Sequence, residues 1–231
     1  MNLSLSGKIE AAKAEGTMQV TSRIPDNHFR MGIFGGTFDP PHIGHLILAD
    51  EARYQLELDR ILWVLTPFPP HKTSQQITDV SQRRVLLQAA LGQNPHFELN
   101  TADLDRPAPH FAVDTLNILH AEFPEAELVY LMGGDSLDDL PNWNDPTGFL
   151  SAADKIGVMR RPGEFIDLQR LEEEIPGIAR KIEFLNAPFV EISSSHIRRR
   201  VGEGGVFRYY LTAPVYQLIL QMQLYQEQEE F

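Results

Sequence analysis

Arg60-Ile61-Leu62-Trp63-Val64-Leu65 is a near-continuous apolar run, and Glu127-Leu128-Val129-Tyr130-Leu131-Met132 is another. Neither alternates polar with apolar residues, so neither has a face to offer water. Strands buried on both sides are what a parallel sheet covered by helices requires. Between and around them the pattern changes to helical spacing, with Val85, Leu86, Leu87 and Leu91 in one segment and Val113, Leu116, Leu119 and Phe123 in another. Strands are expected at Phe29–Phe34, Arg60–Leu65, His96–Leu99, Glu127–Met132, Lys155–Met159 and Ile182–Leu185. Helices are expected at about Ile43–Glu57, through Val85–Leu91 with Asp79 or Ser81 as cap, through Val113–Phe123, and from Leu137–Leu140 onward. Others are expected before Lys155, over the charge-rich and therefore exposed Phe165–Ile175, from the serines at Ser193, and at about Pro214–Tyr225. This strand–helix alternation predicts an α/β fold: a doubly wound, Rossmann-like parallel sheet with helices on both faces and a C-terminal helical segment. Residues 1–28 read as an N-terminal extension, flexible or packed on the surface, and residues 29–231 as a single domain.

In such sheets ligands lie beyond the carboxyl ends of the strands, and every unusual loop of this chain leaves such an end. The first runs Gly35-Gly36-Thr37-Phe38-Asp39-Pro40-Pro41-His42-Ile43-Gly44-His45. Glycines let the backbone approach a ligand closely, and the following helix start presents N–H groups and partial positive charge to an anion. His42 and His45, three residues apart, face one side of that start. The second loop, Thr66–Lys72, is stiffened by prolines and carries His71 and Lys72. The third is Gly133-Gly134-Asp135-Ser136, and the fourth is Arg160-Arg161-Pro162-Gly163. Far downstream, Ser193-Ser194-Ser195-His196-Ile197-Arg198 reads as a serine-capped helix start.

The standard phosphate motifs, GxGxxG and GxxxxGK[ST], are absent. Two histidines without a third ligand make a weak case for zinc, so no protein-held metal is expected. With no cysteine in the chain, thiolate chemistry and disulfides are excluded. A net charge of −12 argues against a general nucleic-acid binder, and no apolar run approaches a membrane span. The expected partners are small anionic molecules, neither nucleic acid nor membrane, and the expected location is the cytoplasm.

The first loop resembles the signature of the nucleotidyltransferase superfamily built around HxGH, and Ile192–Arg198 resembles its second signature, ISSTxIR, with serine for threonine. Within it the chain is most similar to bacterial nicotinate-mononucleotide adenylyltransferases. Pro69-Pro70-His71-Lys72, Arg106 with Asp114-Thr115-Leu116, Gly133-Gly134-Asp135-Ser136 with Trp143, and Arg161-Pro162-Gly163 carry that similarity over roughly Phe29–Tyr225. The resemblance implies transfer of AMP from ATP to nicotinate mononucleotide, giving deamido-NAD and pyrophosphate, with Mg²⁺ held mainly by phosphates and water.

It further implies roles for individual residues. His42, His45 and Arg198 would be catalytic. Gly35, Gly36, Thr37, Gly133, Asp135, Ser193, Ser194, Ser195 and Arg198 would bind ATP. Lys72, Thr115, Trp143 and Arg161 would bind substrate, with Trp143 stacked on the pyridine ring. Between Arg106 and Asp114 the chain departs from the family, reading Pro107-Ala108-Pro109-His110-Phe111-Ala112-Val113 without the usual hydroxyls. Nicotinamide mononucleotide and other phosphomonoesters therefore stay open as acceptors. A synthetase fragment fails on length, acidity and the missing KMSKS loop. A non-catalytic nucleotide-binding module would have little use for the histidines or Arg198.

Overall fold

The computed structural model of this 231-residue chain describes residues 29–68, 77–160, 166–188 and 190–226. The extension at 1–28, Lys72 and Arg161 lie outside the described residues. The strands are β1 (Phe29–Gly36), β2 (Arg60–Leu65), β3 (Phe97–Asn100), β4 (Ala126–Gly133), β5 (Lys155–Arg160) and β6 (Ile182–Asn186). They form one parallel sheet in the order β3-β2-β1-β4-β5-β6. The helices are α1 (Ile43–Gln55), α2 (Val80–Leu91), α3 (Ala112–Glu122), α4 (Gly134–Asp138), α5 (Pro146–Ala152), α6 (Leu168–Glu174), α7 (Ser194–Gly202) and α8 (Ala213–Gln221). The order reverses between β1 and β4, so the crevice above those two carboxyl ends is the topological switch point.

The two-sided apolar strands do what their sequence demands. Leu62 and Val64 of β2 join Met31 and Ile33 beneath α3 and α5, while Ile61, Trp63 and Leu65 face α1 on the other side. Leu116 and Leu119 of α3 are wholly buried, contributing about 2 kcal/mol each. Helix α2 is apolar on two sides: Leu87 and Leu91 face the sheet, and Leu86 and Ala90 pack with Val215 and Ile219 of α8. At the amino ends of the strands Arg30 ties Glu127, Glu183 and the Leu56 carbonyl together. That end is closed by ion pairs, and the openings lie at the other.

Three expectations need correction. Strand β1 continues through the glycine pair to Gly36, because its pairing with β2 holds to Gly36–Leu65. The charged segment after residue 165 is not simply exposed: α6 and the turn after it bury Leu171, Ile175 and Ile178 completely. Three apolar residues at helical spacing outweigh a high charge count there. The C-terminal helix stops at Gln221, and Gln223 and Tyr225 take left-handed backbone angles.

Candidate active site

His42 is the N-cap of α1, and its backbone N–H donates to His45 Nδ1 at 3.1 Å. A nitrogen that accepts carries no proton, so neutral His45 holds its hydrogen on Nε2. The two rings stack, centroids 3.7 Å apart. His45 also rests edge-on against Phe38 at 5.2 Å and near Phe34 at 6.1 Å. A Cβ on Gly44 would come within 3.0 Å of the His42 ring, so the glycine in the motif makes room for it.

His42 is 7% exposed, and burial holds its pKa down at about 4. The ring is neutral at physiological pH, and any stabilisation it offers an anion is a hydrogen bond rather than a charge. A histidine in unfolded chain titrates near 6.5, so between that value and about 4 the unfolded state takes up a proton that the native state does not. Stability therefore falls as pH drops through this window, by about 2 kcal/mol between pH 7 and pH 5. Urea midpoints at the two pH values measure this, and His42→Gln should remove most of the difference.

The second signature sits against the first. Ser193 caps α7, its side chain accepting from the His196 N–H at 3.2 Å. Ser194 Oγ donates to the Pro40 carbonyl at 2.8 Å, and an Arg198 terminal nitrogen donates to the Asp39 carbonyl at 2.7 Å. Partners 154 and 159 residues apart are thus joined by the side chains the motif supplies. Asp39, 4% exposed, also accepts from Tyr225 OH at 2.8 Å and from the Thr78 N–H at 3.2 Å. Burial and then Asp39 push the Tyr225 phenol far above its usual range.

Two cavities open at this end. The smaller, about 220 Å³, is walled by His42, Gly44, His45, Arg160, Pro188 and Ile192. The larger, about 650 Å³, holds Gly35, Gly36, Thr37, Thr115, Gly133 and Trp143 in its wall. The expected site residues are therefore divided: the catalytic histidines line one cavity, the β1 and β4 glycines line the other, and Ser193, Ser194, Ser195 and Arg198 line neither. Asp135 is exposed in the first turn of α4, its Oδ1 accepting from the Ser136 N–H, and neither wall includes it.

Trp143 meets Phe149 edge-on at 5.4 Å and Tyr130 at 6.3 Å, so its ring is braced. The Trp143 backbone N–H donates to the Leu140 carbonyl at 3.0 Å. Thr115 Oγ1 donates to Asp103 Oδ1 at 2.7 Å, and Arg106 donates to the same oxygen and to the carbonyls of Pro109 and Phe111. That network folds the departing segment so that His110, Phe111 and Ala112 all line the larger cavity. His110 is 5% exposed, and burial lowers its pKa, opposed by Asp103.

The sequence reading missed three residues here. Arg160, at the end of β5, walls the smaller cavity with its guanidinium 4.3 Å over Phe184; its place at a strand's carboxyl end was the available signal. Tyr225 had no signal, since its partner is distant in sequence. Arg83 donates to four backbone carbonyls at 1% exposure. Its helical offset from Leu86, Leu87 and Ala90 was the clue.

The cytidylyltransferase-like family model matches residues 33–200. A protein of Thermomicrobium roseum named "Probable nicotinate-nucleotide adenylyltransferase" is 43% identical over 200 residues, covering 87% of this chain and 93% of that one. The chain belongs to the nicotinate-nucleotide adenylyltransferase family. Its namesake in Bacillus pumilus is 34% identical, with 85% of this chain and 98% of that protein covered. Among solved structures, Plasmodium falciparum nicotinic acid mononucleotide adenylyltransferase complexed with NaAD shares the fold, with a TM-score of 0.70 at 18% identity. The match covers 86% of this chain and 98% of that one. Membership of the family accounts for both signatures and for the parallel sheet that brings them together. No helix among the described residues is long and apolar enough to cross a membrane.

Proposed function

We propose that this enzyme moves AMP from ATP to nicotinate mononucleotide, giving deamido-NAD and pyrophosphate. The observation that carries the reading is the docking of α7 onto the Asp39–Pro40 loop, through Ser194 and Arg198, where that loop leads into the two histidines. A braced tryptophan in a separate cavity then provides an acceptor side. A relative of the same fold complexed with APC, an ATP analogue, supports ATP as donor.

The acceptor's phosphate monoester is already an anionic nucleophile, so no general base is required. One of its oxygens bonds to the α-phosphorus as the bond to the β-phosphate oxygen breaks, and the electron pair leaves with pyrophosphate. Catalysis then consists of alignment and of donors aimed at charge that grows on the departing group. His45 Nε2–H, His42 and Arg198 serve as those donors. The first-turn N–H groups of α7 hold the β- and γ-phosphates. Gly35, Gly36, Thr37 and Gly133 let the nucleotide backbone approach the strand ends, and Lys72, Thr115 and Arg161 belong to the substrate side.

Among the described residues no three His, Asp or Glu side chains converge. Mg²⁺ would be carried by the triphosphate and water, and Asp135 at the start of α4 would bond that water. When bound, the ion supplies charge neutralisation. The enzyme is placed in the cytoplasm, where its nucleotide substrates are, with no role for nucleic acid or membrane.

Incubation with ATP, Mg²⁺ and, in parallel, nicotinate mononucleotide, nicotinamide mononucleotide or phosphopantetheine tests the reading by following pyrophosphate and dinucleotide. Deamido-NAD should form in the first reaction, and its absence there would overturn the proposal. The comparison of the first two also measures what the His110-Phe111-Ala112 wall does to selectivity. Trp143→Ala should raise the KM for the mononucleotide about tenfold to a hundredfold through lost stacking, with the KM for ATP unchanged. A rise confined to ATP would contradict the stacking role.

A further inference from the structure

The strand ladder between β1 and β2 ends where the Thr66 N–H donates to the Gly36 carbonyl at 3.0 Å. One residue beyond, the loops part. The first heads through Asp39 and Pro40 to His42 and His45, and the second heads from Thr66, in the wall of the larger cavity, to Pro67 and to Phe68, whose ring lies 6.2 Å from that of His110. At this divergence lies Arg83 of α2, 1% exposed. One of its terminal nitrogens donates both to the Thr37 carbonyl and to the Thr66 carbonyl, each at 2.9 Å. The other donates to the Pro67 carbonyl at 2.7 Å, and Nε donates to the Thr78 carbonyl at 2.7 Å.

A single nitrogen with two acceptors holds those two carbonyl oxygens within about 6 Å of each other, and a planar fork fixes the remaining two relative to them. The side chain is in effect one more rung of the sheet, laid after the backbone rungs have run out.

Its charge has been kept despite its position. Burial lowers the Arg83 pKa, with Asp39 acting in the opposite direction, and a guanidinium stays protonated under any physiological condition. The Thr78 peptide stands between the two groups: its N–H donates to Asp39 Oδ2 and its carbonyl accepts from Arg83. An apolar residue at this place would pack against Leu86 and Leu87 at less desolvation cost, but would leave four loop carbonyls without their donor.

We propose that Arg83 is a positioning residue that sets the spacing between the nucleotide loop after β1 and the acceptor loop after β2. The inference rests on the adenylyl-transfer reading, because in-line attack needs the acceptor phosphate and the α-phosphorus at a fixed separation. In this reading Arg83 would touch neither substrate; it holds the Thr37, Thr66 and Pro67 carbonyls where the two loops begin. An error of about 1 Å in such a spacing costs on the order of a hundredfold in rate.

The test uses full-length Arg83→Ala and Arg83→Lys, with folding checked by circular dichroism and urea titration. For Arg83→Ala, kcat should fall about a hundredfold while the KM values for ATP and mononucleotide stay within about threefold. Guanidinium ion at low concentration should restore at least about tenfold of the lost kcat by refilling the cavity with the same donors. If the alanine variant does not fold, Arg83→Lys decides. It keeps the charge without the fork, and should lose about tenfold in kcat at near-normal KM. A kcat within about threefold of wild type in a folded variant, or a loss matched by an equal rise in KM, would overturn the proposal.

Amide exchange gives a readout independent of turnover: the amides of residues 37–39, Thr66 and Phe68 should exchange faster in Arg83→Lys. Unchanged exchange would overturn the clamp itself. Absence of product from the wild-type enzyme would instead sink the reaction assignment, leaving the exchange result to judge the clamp.

Discussion

His45→Ala should lower kcat by up to about a thousandfold and leave the protein folded. The ring is fixed before any substrate arrives. Its Nδ1 accepts from the His42 N–H, its face is stacked on His42, and Phe38 and Phe34 form the floor. Nε2–H is the donor assigned to the ligand, and those contacts set the orientation of the ring. A donor fixed in this way needs no reorganisation as negative charge builds on the departing pyrophosphate, and removing one such donor costs on the order of 10²–10³ in rate. The structural cost is smaller. Losing the cap contact on the His42 N–H amounts to about 1 kcal/mol, too little to unfold a core of this size. Single-turnover rates with ATP and nicotinate mononucleotide, taken alongside a thermal melt, separate the two effects. Near-normal turnover in a folded variant would refute the assigned role. His45→Gln, which can place an amide N–H in the same region without the aromatic packing, should recover part of the loss.

The parallel sheet was legible because its strands carry no polar face. Arg60–Leu65 matches β2 residue for residue, since an apolar run buried on both sides has sharp ends. The loops were legible for a related reason: glycine, proline and capping serine act locally, and a resemblance to known signatures extends over them. Distance was the obstacle elsewhere. Nothing near Asp39 in the sequence announces Tyr225, and nothing near Thr37 announces Arg83. Both contacts depend on which face of a distant helix turns inward. Arg83 in α2 drew no notice, because only the four carbonyls around it show what a charged residue on the apolar stripe does there. The reverse happened in α6, where the charges drew attention from Leu171 and Ile175. Division of the site into two cavities could not be read at all, because it depends on how far β1 runs before its chain turns.

Arg198→Ala should lower kcat by several hundredfold, somewhat less than loss of His45. Its guanidinium spends one terminal nitrogen on the Asp39 carbonyl, tying α7 to the loop that carries both histidines. If the remaining donors of the fork take a phosphate oxygen, that charge-assisted bond is roughly twice as strong as a neutral one. The alanine variant loses a charge and a tether together. Arg198→Lys separates them: an ammonium keeps the charge but is a single point and cannot hold the Asp39 carbonyl and reach a phosphate at once. It should fall between alanine and wild type, about tenfold to fiftyfold below the latter in kcat. Inhibition by added pyrophosphate should weaken in both variants, since the same donors hold the leaving group. The double variant with His45→Ala tests whether the two act on one charge. If both stabilise the departing pyrophosphate, the combined loss should fall well short of the product of the single losses. Full multiplicativity would mean that Arg198 works elsewhere, on substrate placement alone. A kcat within about fivefold of wild type for Arg198→Ala would remove it from the reaction altogether.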